Sequence, residues 1–323
     1  MAIEFELKEG RVIVVTGGSG YIGSRIVKRL VERGKAVRAL VRSRRRAENE
    51  GRLRGLPVEW IEADVTRPET LGPAMQGASA VIHTVAIAVE KGGRKYEPIN
   101  YQGTVNVVEA AKAAGVRRFI NQCQLGADSK LPYRFLASKG KAQEYVATSG
   151  LDWTAFRPSV VWGPEDEFAN TFARLVPITP IIYPIIGDGQ ARFEPVWVED
   201  VVTCFEKALD DPATIGTEYE LGGPEVLTLA EIERRTLEAV GARRMMVPLP
   251  LPLVRIVVTL METLLPAPPV TRSLLELLAV SNVTTANAIG QFVSDPRPFT
   301  PENCAPYMRQ FRLGETIAQF TGR

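Results

Sequence analysis

The chain has 323 residues, of which 45% are hydrophobic and 24% charged, and its 39 Lys and Arg against 37 Asp and Glu leave a net charge of +2. This profile is typical of an ordinary globular chain and excludes a disordered, collagen-like or disulfide-scaffold protein. A net charge so close to zero gives no general attraction to nucleic acid, so no nucleic-acid partner is expected.

The N-terminal residues 1–10, MAIEFELKEG, contain two glutamates and no apolar segment. They do not resemble a secretory signal or a transit peptide, so we expect a cytoplasmic protein. The three cysteines lie far apart without a CxxC pair, and the chain has a single histidine. This composition predicts no metal site.

The first half of the chain alternates short β-branched runs with helical patterns. The predicted strands cover 11–16, 36–42, 57–63, 79–85, 117–123 and 152–158, and the predicted helices cover 21–34, 69–75, about 100–115 and about 135–149. Such alternation indicates right-handed βαβ crossovers. It predicts an α/β fold built on a Rossmann-type doubly wound parallel sheet with helices on both faces.

The pattern loosens after Pro164. The predicted features there are proline-punctuated loops over 177–189, a segment 195–201 that leads into a helix ending near 210, a short strand 218–223, a helix 227–241 capped by Thr228, and apolar helices over 253–265 and 271–280. We therefore predict a Rossmann domain over 1–163, to which 190–215 return. A smaller, mostly helical C-terminal lobe over 164–323 is expected to hold a substrate or partner.

The segment between the first strand and the first helix reads TGGSGYIG (16–23). Gly17 permits a tight turn off the strand, Gly20 lets backbone amides approach a pyrophosphate, and Gly23 allows the helix to pack closely on the sheet. This spacing predicts a dinucleotide site, and a purely conformational turn is the alternative. The predicted contacts in this segment are Thr16, Gly17, Ser19, Gly20, Tyr21, Ile22 and Gly23.

The second strand ends where the adenosine ribose of a dinucleotide would be recognised. An acidic residue there favours NAD, but residues 42–46 read RSRRR. A guanidinium supplies planar bidentate donors to a 2′-phosphate, so we predict that NADP(H) is preferred over NAD(H), with Arg42 as the main contact. A solvated basic loop is the alternative. Asp64 and Val65, after the third strand, are predicted to contact the adenine.

Several segments together resemble the extended and atypical short-chain dehydrogenase/reductase superfamily over about residues 10–240. They are TGGSGYIG, ADV (63–65), NYQGTVNVVEAAKAAGVRRFI (100–120), SK (138–139), RPSVVWGPED (157–166) and PVWVEDV (195–201). The block from Arg157 and the basic end of the second strand look most like the branch that contains the nucleotide-binding accessory subunit of respiratory complex I. The resemblance implies NAD(P) binding, oxidoreductase or epimerase/dehydratase chemistry, and either an apolar small molecule or a membrane-associated protein complex as a partner.

The resemblance also implies catalytic positions. In active members a Tyr-x-x-x-Lys on the helix after the fifth strand, with Ser or Thr at the end of that strand, moves the proton of the reacting oxygen. Lys139 matches the lysine that holds the nicotinamide ribose, but Phe135 stands at the tyrosine position and Cys123 at the hydroxyl position. Phe has no proton to give and a thiol is a weak donor. Because a positioned acid or base contributes about 10²–10⁴-fold, we expect impaired proton chemistry.

Each of these residues has an alternative reading. Lys139 is otherwise an ordinary surface lysine, and Cys123 is either a redox-sensitive thiol or a buried inert one. Replacement of the missing tyrosine by Tyr133 would need the helix to begin after that residue. His83 resembles a cofactor-side loop residue or is a satisfied structural histidine.

The segment from Pro158 to Val160 resembles the loop that contacts the carboxamide end of the nicotinamide, with Pro158 and Val160 as the predicted contacts. Pro158 by itself would also end a strand.

The apolar tail supports two interpretations. In 253–265 the polar Arg255, Thr259 and Glu262 form a narrow stripe on an otherwise apolar helix. The tail helices either face the core of the small lobe or form a cavity or surface that lies against a membrane or a partner subunit. Prolines and charges interrupt 249–265, which is shorter than the ~20 apolar residues that span a bilayer, so no transmembrane segment is expected.

The sequence thus supports three functional hypotheses. The first is an NADP(H)-binding protein with impaired or altered proton chemistry and a structural, assembly or sensing role, cytoplasmic or peripheral to a membrane. The second is an active oxidoreductase or epimerase on an apolar carbonyl, quinone or isoprenoid-type substrate. The third is a regulator that distinguishes NADP from NADPH. Relatives often dimerise through the helices near 100–115 and 135–149, so a homo-oligomer stays open.

Overall fold

The structure, a computed structural model, describes residues 12–265, 268, 270–278, 280–311, 314 and 316. The predicted first residue of the opening strand, Arg11, lies outside the described residues. So do residues 1–10 and Ala279 in the second tail helix.

Strands and helices are numbered in chain order. The strands are β1 (Val12–Thr16), β2 (Val37–Val41), β3 (Glu59–Glu62), β4 (Ala78–His83), β5 (Arg118–Gln122), β6 (Asp152–Pro158), β7 (Val161–Trp162), β8 (Ile182–Ile186), β9 (Arg192–Phe193), β10 (Val196–Trp197), β11 (Thr217–Leu221), β12 (Leu227–Thr228) and β13 (Met245–Leu249). The helices are α1 (Tyr21–Glu32), α2 (Arg44–Glu50), α3 (Leu71–Met75), α4 (Gln102–Ala113), α5 (Arg134–Ala147), α6 (Ala169–Leu175), α7 (Val198–Asp210), α8 (Leu229–Val240), α9 (Leu251–Leu264), α10 (Arg272–Leu278), α11 (Ile289–Phe292) and α12 (Pro301–Met308). The chain divides into two compact units, Met1–Arg157 with Val201–Tyr219, and Pro158–Asp200 with Glu220–Arg323.

The first unit is built on a seven-stranded sheet in the order β11–β6–β5–β4–β1–β2–β3. The strands from β6 to β3 pair in parallel. Every residue of β1 is buried, as expected of a parallel strand covered on both faces. The predicted Rossmann-type doubly wound sheet is therefore confirmed. The strand order reverses between β1 and β4, and ligands of such sheets bind outside the carboxyl ends of the strands at that point.

The hydrophobic core of the first unit packs helices against this sheet. Val14, Val81 and Phe119, from three different strands, form one buried cluster with Met75 of α3 and Val107 of α4. The six strands and four helices predicted for the first half of the chain are all present. Their apolar residues recur at the periods of strands and helices, because one or both faces of each element are buried. The hydrophobic pattern was therefore sufficient to predict these elements.

One helix of the first unit was not predicted. Residues 44–50 form the helix α2 instead of a loop, and residues 42–46 are all exposed, so the solvated alternative for this basic segment stays open. Ser43 caps this helix by accepting the backbone N–H of Arg46 at 3.4 Å, and Arg44 forms an i,i+4 ion pair with Glu48 at 2.7 Å. The cap and the ion pair stabilise this helix locally. It was not predicted because the segment has no apolar stripe at helical spacing.

The prediction of loops over 177–189 in the second unit is also wrong, because this segment contains β8. This strand pairs in parallel with β13, and the two form their own sheet. Pro184 lacks a backbone N–H, but a strand with one neighbour leaves alternate N–H groups outside the ladder, so proline is tolerated there.

Helix α8 of the second unit begins as predicted. Thr228 Oγ1 accepts the backbone N–H of Glu231 at 3.2 Å, and the Glu231 carboxylate accepts the N–H of Thr228 at 2.8 Å. This reciprocal capping box satisfies two backbone donors that a helix start otherwise leaves open.

Helix α9 presents apolar residues to both the core and the surface. Val254 and Val258 are buried in a cluster with Val270 and Leu275. Five other apolar residues of the helix are exposed, namely Leu253, Ile256, Val257, Leu260 and Leu264. One part of the helix is therefore core-facing, and another forms an apolar surface. Within the described part of the chain, no helix is both long and apolar enough to cross a membrane.

Candidate cofactor site and catalytic positions

The glycine turn joins β1 to α1. Gly17 has a φ of +70°, which L side chains rarely adopt, and its carbonyl accepts the N–H of Gly20 at 2.8 Å. A Cβ on Gly23 would lie 2.2 Å from the same carbonyl oxygen. The backbone at Gly17 and Gly23 therefore requires glycine, and α1 starts directly behind the turn.

A cavity of about 480 Å³ opens beside the glycine turn, at the carboxyl ends of β1, β2, β3 and β4. This volume lies in the range of small-molecule and cofactor sites. The predicted contacts that line it are Thr16, Gly17, Ser19, Gly20, Arg42, Asp64 and Val65. By contrast, Tyr21, Ile22 and Gly23 form the first turn of α1 and do not line the cavity.

The basic segment after β2 separates into different roles. Arg42 is exposed and lines the cavity. Arg44 is ion-paired with Glu48, and its backbone N–H donates to the Glu62 carboxylate at 3.2 Å. Among these arginines, Arg42 is the one whose side chain belongs to the cavity wall.

Asp64 is half-buried on the opposite wall, after β3. Its Oδ1 accepts both the backbone N–H of Thr66 at 2.8 Å and the Thr66 hydroxyl at 2.7 Å. Val65 is buried, and its carbonyl accepts a side-chain N–H of Asn106 at 2.8 Å. These bonds hold the loop after β3 against the first unit, so this side of the cavity is preformed, and the contact of Asp64 and Val65 with an adenine stays a prediction.

His83 is a structural histidine, which decides between its two predicted roles. Thr104 donates its hydroxyl proton to the Asn100 carbonyl at 2.7 Å, so its oxygen accepts from Nε2–H of His83 at 2.9 Å. The other ring nitrogen, Nδ1, is left to accept the hydroxyl of Thr16 at 2.7 Å. Burial lowers the pKa of His83 to about 3, with the nearby Lys139 ammonium acting in the same direction, so the ring is neutral.

Lys139 and Cys123 are both buried. Lys139 as a residue is 3% exposed, and its ammonium donates to the Gln122 carbonyl at 2.6 Å, so the alternative of a surface lysine is wrong. Burial lowers the pKa of Lys139 and raises that of the Cys123 thiol. The thiol donates to the Lys139 carbonyl oxygen, with the sulfur and oxygen atoms 3.7 Å apart. Because the thiolate is the reactive form, these features favour the inert alternative for Cys123.

Phe135 lies one helical turn before Lys139 on α5. Its half-buried ring meets Tyr96 edge-on, with the ring centroids 5.8 Å apart. Tyr96, which sequence reasoning missed, is itself buried and donates its hydroxyl to the Ala88 carbonyl at 2.9 Å. Tyr133 precedes the helix in an extended conformation, so the condition for its replacing the missing tyrosine is met.

The predicted nicotinamide loop belongs to the second unit. Pro158 ends β6, and Ser159 is buried, with its N–H donating to the Leu221 carbonyl at 2.8 Å. The Val160 carbonyl accepts the N–H of Val196 at 3.0 Å. The contacts of Pro158 and Val160 with a nicotinamide stay a prediction.

Several cavity residues were missed from the sequence. They are Leu40, Val41, Ala63, Thr66, Leu71, Thr84, Val85, Ala86, Ile87, Gly93, Arg94, Lys95, Pro98 and Ile99. Thr84 and Val85 were assigned to the predicted strand 79–85, whereas β4 ends at His83 and both residues lie in the loop after it. The available signal was topological, because the loop after the fourth strand leaves the same edge of the sheet as the glycine turn.

The second unit holds a buried carboxyl group. Glu233 on α8 is 1% exposed, and neither carboxylate oxygen has a hydrogen-bond partner of good geometry among the described residues. Burial raises its pKa to about 8, although the nearby backbone N–H of Ile186 acts in the opposite direction. Within the described residues, no group of three or more His, Cys, Asp or Glu could hold a metal ion.

Comparisons with known proteins agree with this architecture. Residues 17–171 match a family model described as NAD(P)H-binding. Among solved structures, the UDP-glucose 4-epimerase of Thermotoga maritima with UDP-glucose superposes with a TM-score of 0.70 at 20% identity, covering 95% of this chain and 99% of that one. A likeness at this identity shows the fold.

Two curated relatives cover most of the chain. A mitochondrial protein of Arabidopsis thaliana named NADH dehydrogenase (ubiquinone) 1 alpha subcomplex subunit 9 is 29% identical over 253 residues, which are 76% of this chain and 62% of that protein. The chain therefore spans less than two thirds of that relative. A 3 beta-hydroxysteroid dehydrogenase/Delta 5→4-isomerase of Mycobacterium tuberculosis is 29% identical over 317 residues, covering 86% of this chain and 82% of that protein.

Proposed function

We propose that the chain is a member of the extended and atypical short-chain dehydrogenase/reductase superfamily, and that it binds NADP(H) with little ordinary dehydrogenase turnover, in a structural, assembly or sensing role. The observation that carries this proposal is Phe135. It stands one turn before the buried Lys139, and its ring offers no proton to a reacting oxygen.

The residues of the cavity fit a bound dinucleotide. The backbone of the glycine turn leaves no room for a Cβ at Gly23, which is the close packing that a pyrophosphate-binding turn needs. The exposed Arg42 guanidinium at the end of β2 suits a 2′-phosphate, and no carboxylate occupies its position to bind a ribose 2′-hydroxyl. These two features support NADP(H) as the preferred cofactor.

The chain's own residues would bind and orient the cofactor, whose nicotinamide supplies hydride when bound. Lys139 would hold the nicotinamide ribose by exchanging its bond to the Gln122 carbonyl for one to a ribose hydroxyl. Asp64 and Val65 would contact the adenine. The proton step has no donor at Phe135, and the buried thiol of Cys123 is a weak substitute for a hydroxyl. Binding is therefore retained while turnover is lost.

A membrane-associated protein complex is the partner that we propose for the assembly role. Two mitochondrial relatives are named as subunits, one of NADH dehydrogenase (ubiquinone) from Arabidopsis thaliana and one of NADH-ubiquinone oxidoreductase from Neurospora crassa. The exposed apolar residues of α9 would supply a surface for such contact. A cytoplasmic protein peripheral to a membrane is consistent with this role.

The experiment is a mass spectrum of the protein as purified, followed by assays of NADPH consumption. We expect a bound dinucleotide that is not oxidised by a panel of carbonyls and quinones. Steady oxidation of NADPH with any member of the panel would overturn the proposal. A sensing role further requires different affinities for NADP and NADPH, and equal dissociation constants would exclude it.

An active oxidoreductase or epimerase on an apolar carbonyl, quinone or isoprenoid-type substrate is the second candidate. The observation in its favour is Tyr133, which precedes α5 in an extended conformation. Its side-chain direction is therefore not fixed by the helical spacing that separates it from Lys139. Relatives named as hydroxysteroid dehydrogenases and a 2-alkyl-3-oxoalkanoate reductase agree with an apolar carbonyl. If the panel reveals turnover, Tyr133→Phe should abolish it, and unchanged turnover in that variant would exclude Tyr133 as the donor.

A further inference from the structure

A second arginine, Arg52, contacts the glycine turn. It lies 33 residues from Ser19 in the sequence, yet its Nη1 donates to the Ser19 carbonyl at 3.1 Å. The side chain is exposed and follows α2 by two residues. The segment after α2 therefore brings a cation into contact with Ser19, a residue that lines the cavity.

The backbone around Arg52 is fixed by the fold. Leu53 is 2% exposed and Ala47 is 4% exposed, so buried side chains anchor the turn and the helix before it. A Cβ on Gly51 would lie 2.4 Å from the Ala47 carbonyl oxygen, and the N–H of Arg54 donates to the Gly51 carbonyl at 3.2 Å. The direction of Arg52 toward the glycine turn thus follows from a constrained turn.

Arg52 and Arg42 are both connected with the glycine-turn side of the cavity. Strands β1 and β2 are adjacent and parallel, with Thr16 paired to Leu40, so the glycine turn and Arg42 leave the sheet side by side. Both Ser19 and Arg42 line the cavity, and Arg52 bonds to the Ser19 carbonyl directly behind this lining. This side of the cavity therefore has one guanidinium in its lining and a second one bonded to a lining residue.

We propose that Arg52 is a second specificity-determining residue that binds the 2′-phosphate of NADP(H) together with Arg42. This inference rests on the proposed preference for NADP(H). A phosphate monoester carries about −1.5 to −2 charges and three acceptor oxygens, which one guanidinium does not neutralise. A guanidinium has five N–H donors in a planar fork. One of these donors is bonded to the carbonyl of Ser19, which lines the cavity, and this bond holds the Arg52 guanidinium at the glycine turn.

The test compares Arg52→Gln with the wild type and with Arg54→Gln. Arg54 is exposed on the same turn, and among the contacts of the described residues it is Arg52 that bonds to the glycine turn, so Arg54 is a matched control for the loss of one charge. Isothermal titration gives the dissociation constants for NADPH and for NADH. A charge-assisted hydrogen bond lost in Arg52→Gln should weaken NADPH binding by about tenfold to a hundredfold. NADH binding should change by less than about twofold, and Arg54→Gln should change neither.

The outcomes separate this inference from the proposed function. Equal weakening of NADPH and NADH in Arg52→Gln would assign the residue to shaping the glycine turn alone and would overturn the inference, as would no change in either. Restoration of NADPH binding in Arg52→Lys would support a direct charge on the phosphate. If the wild type itself binds NADPH and NADH equally, the NADP(H) preference fails. If Arg42→Ala abolishes the preference and Arg52→Gln does not, only the inference fails.

Discussion

The double substitution Phe135→Tyr with Cys123→Ser should create reductase activity. Phe135 and Lys139 are an i,i+4 pair on α5, so a hydroxyl on the Phe135 ring would share the face of the lysine. The Lys139 ammonium is buried, and an adjacent cation lowers the pKa of a phenol. The serine would restore a hydroxyl donor at the end of β5. If the proposed assignment holds, a phenol and a hydroxyl would then stand at the positions that active members of the resembled superfamily use.

The expected increase in rate follows from the contribution of a positioned acid or base to catalysis, which is about 10²–10⁴-fold. The added phenol oxygen meets little steric resistance, because the Phe135 ring is half-buried and its centroid lies 5.8 Å from that of Tyr96. We therefore expect the fold and NADPH affinity to survive while NADPH oxidation with apolar ketones rises at least a hundredfold.

The assay is the steady-state loss of NADPH absorbance with a panel of apolar ketones and quinones. The control is Phe135→Leu with Cys123→Ser, which changes the same positions without a phenol and should stay inactive. The reasoning is refuted if the tyrosine variant binds NADPH like the wild type and yet turns over no faster. Activity in the leucine control would equally show that the missing donor is not the cause.

Other substitutions test the remaining structural claims. Gly23→Ala should weaken dinucleotide binding more than tenfold by titration calorimetry, because its Cβ would lie 2.2 Å from the Gly17 carbonyl oxygen and such overpacking costs about 1–3 kcal/mol. His83→Phe should lower the free energy of unfolding by about 2–4 kcal/mol in urea, because two buried hydrogen bonds between the ring and the hydroxyls of Thr16 and Thr104 are lost; an unchanged denaturation midpoint would contradict the structural role. Folding raises the pKa of Glu233 from 4.5 to about 8, so the folded state binds the extra proton and the free energy of unfolding should fall as the pH rises from about 4.5 to 8. Glu233→Gln should remove this loss, which is on the order of 4 kcal/mol at pH 8, and equal pH slopes in the two proteins would disprove it. Burial and a raised pKa should make Cys123 react slowly with alkylating reagents until the protein unfolds, so rapid native labelling found by mass spectrometry would refute the assignment.

The strands and most helices of the first unit could be predicted from the sequence because they depend on residue types and on hydrophobic periodicity within short segments. The run Val12–Thr16 is β-branched and fully buried, and the glycines that follow it serve a turn whose strain is set within a few residues. The same locality applies to the capping box at Thr228. In each case the chemistry that forms the element acts between residues close in the chain.

The sequence alone therefore determined the parallel sheet, the glycine turn and the spacing of Phe135 four residues before Lys139, since each is a matter of residue type and spacing. Only the tertiary structure decided which of the several arginines faces the cavity, that His83 is a neutral bridge between Thr16 and Thr104, and that Arg52 returns to Ser19. These contacts join residues 21 to 67 positions apart. They depend on how strands and helices pack, and that packing cannot be predicted from the pattern of neighbouring residues.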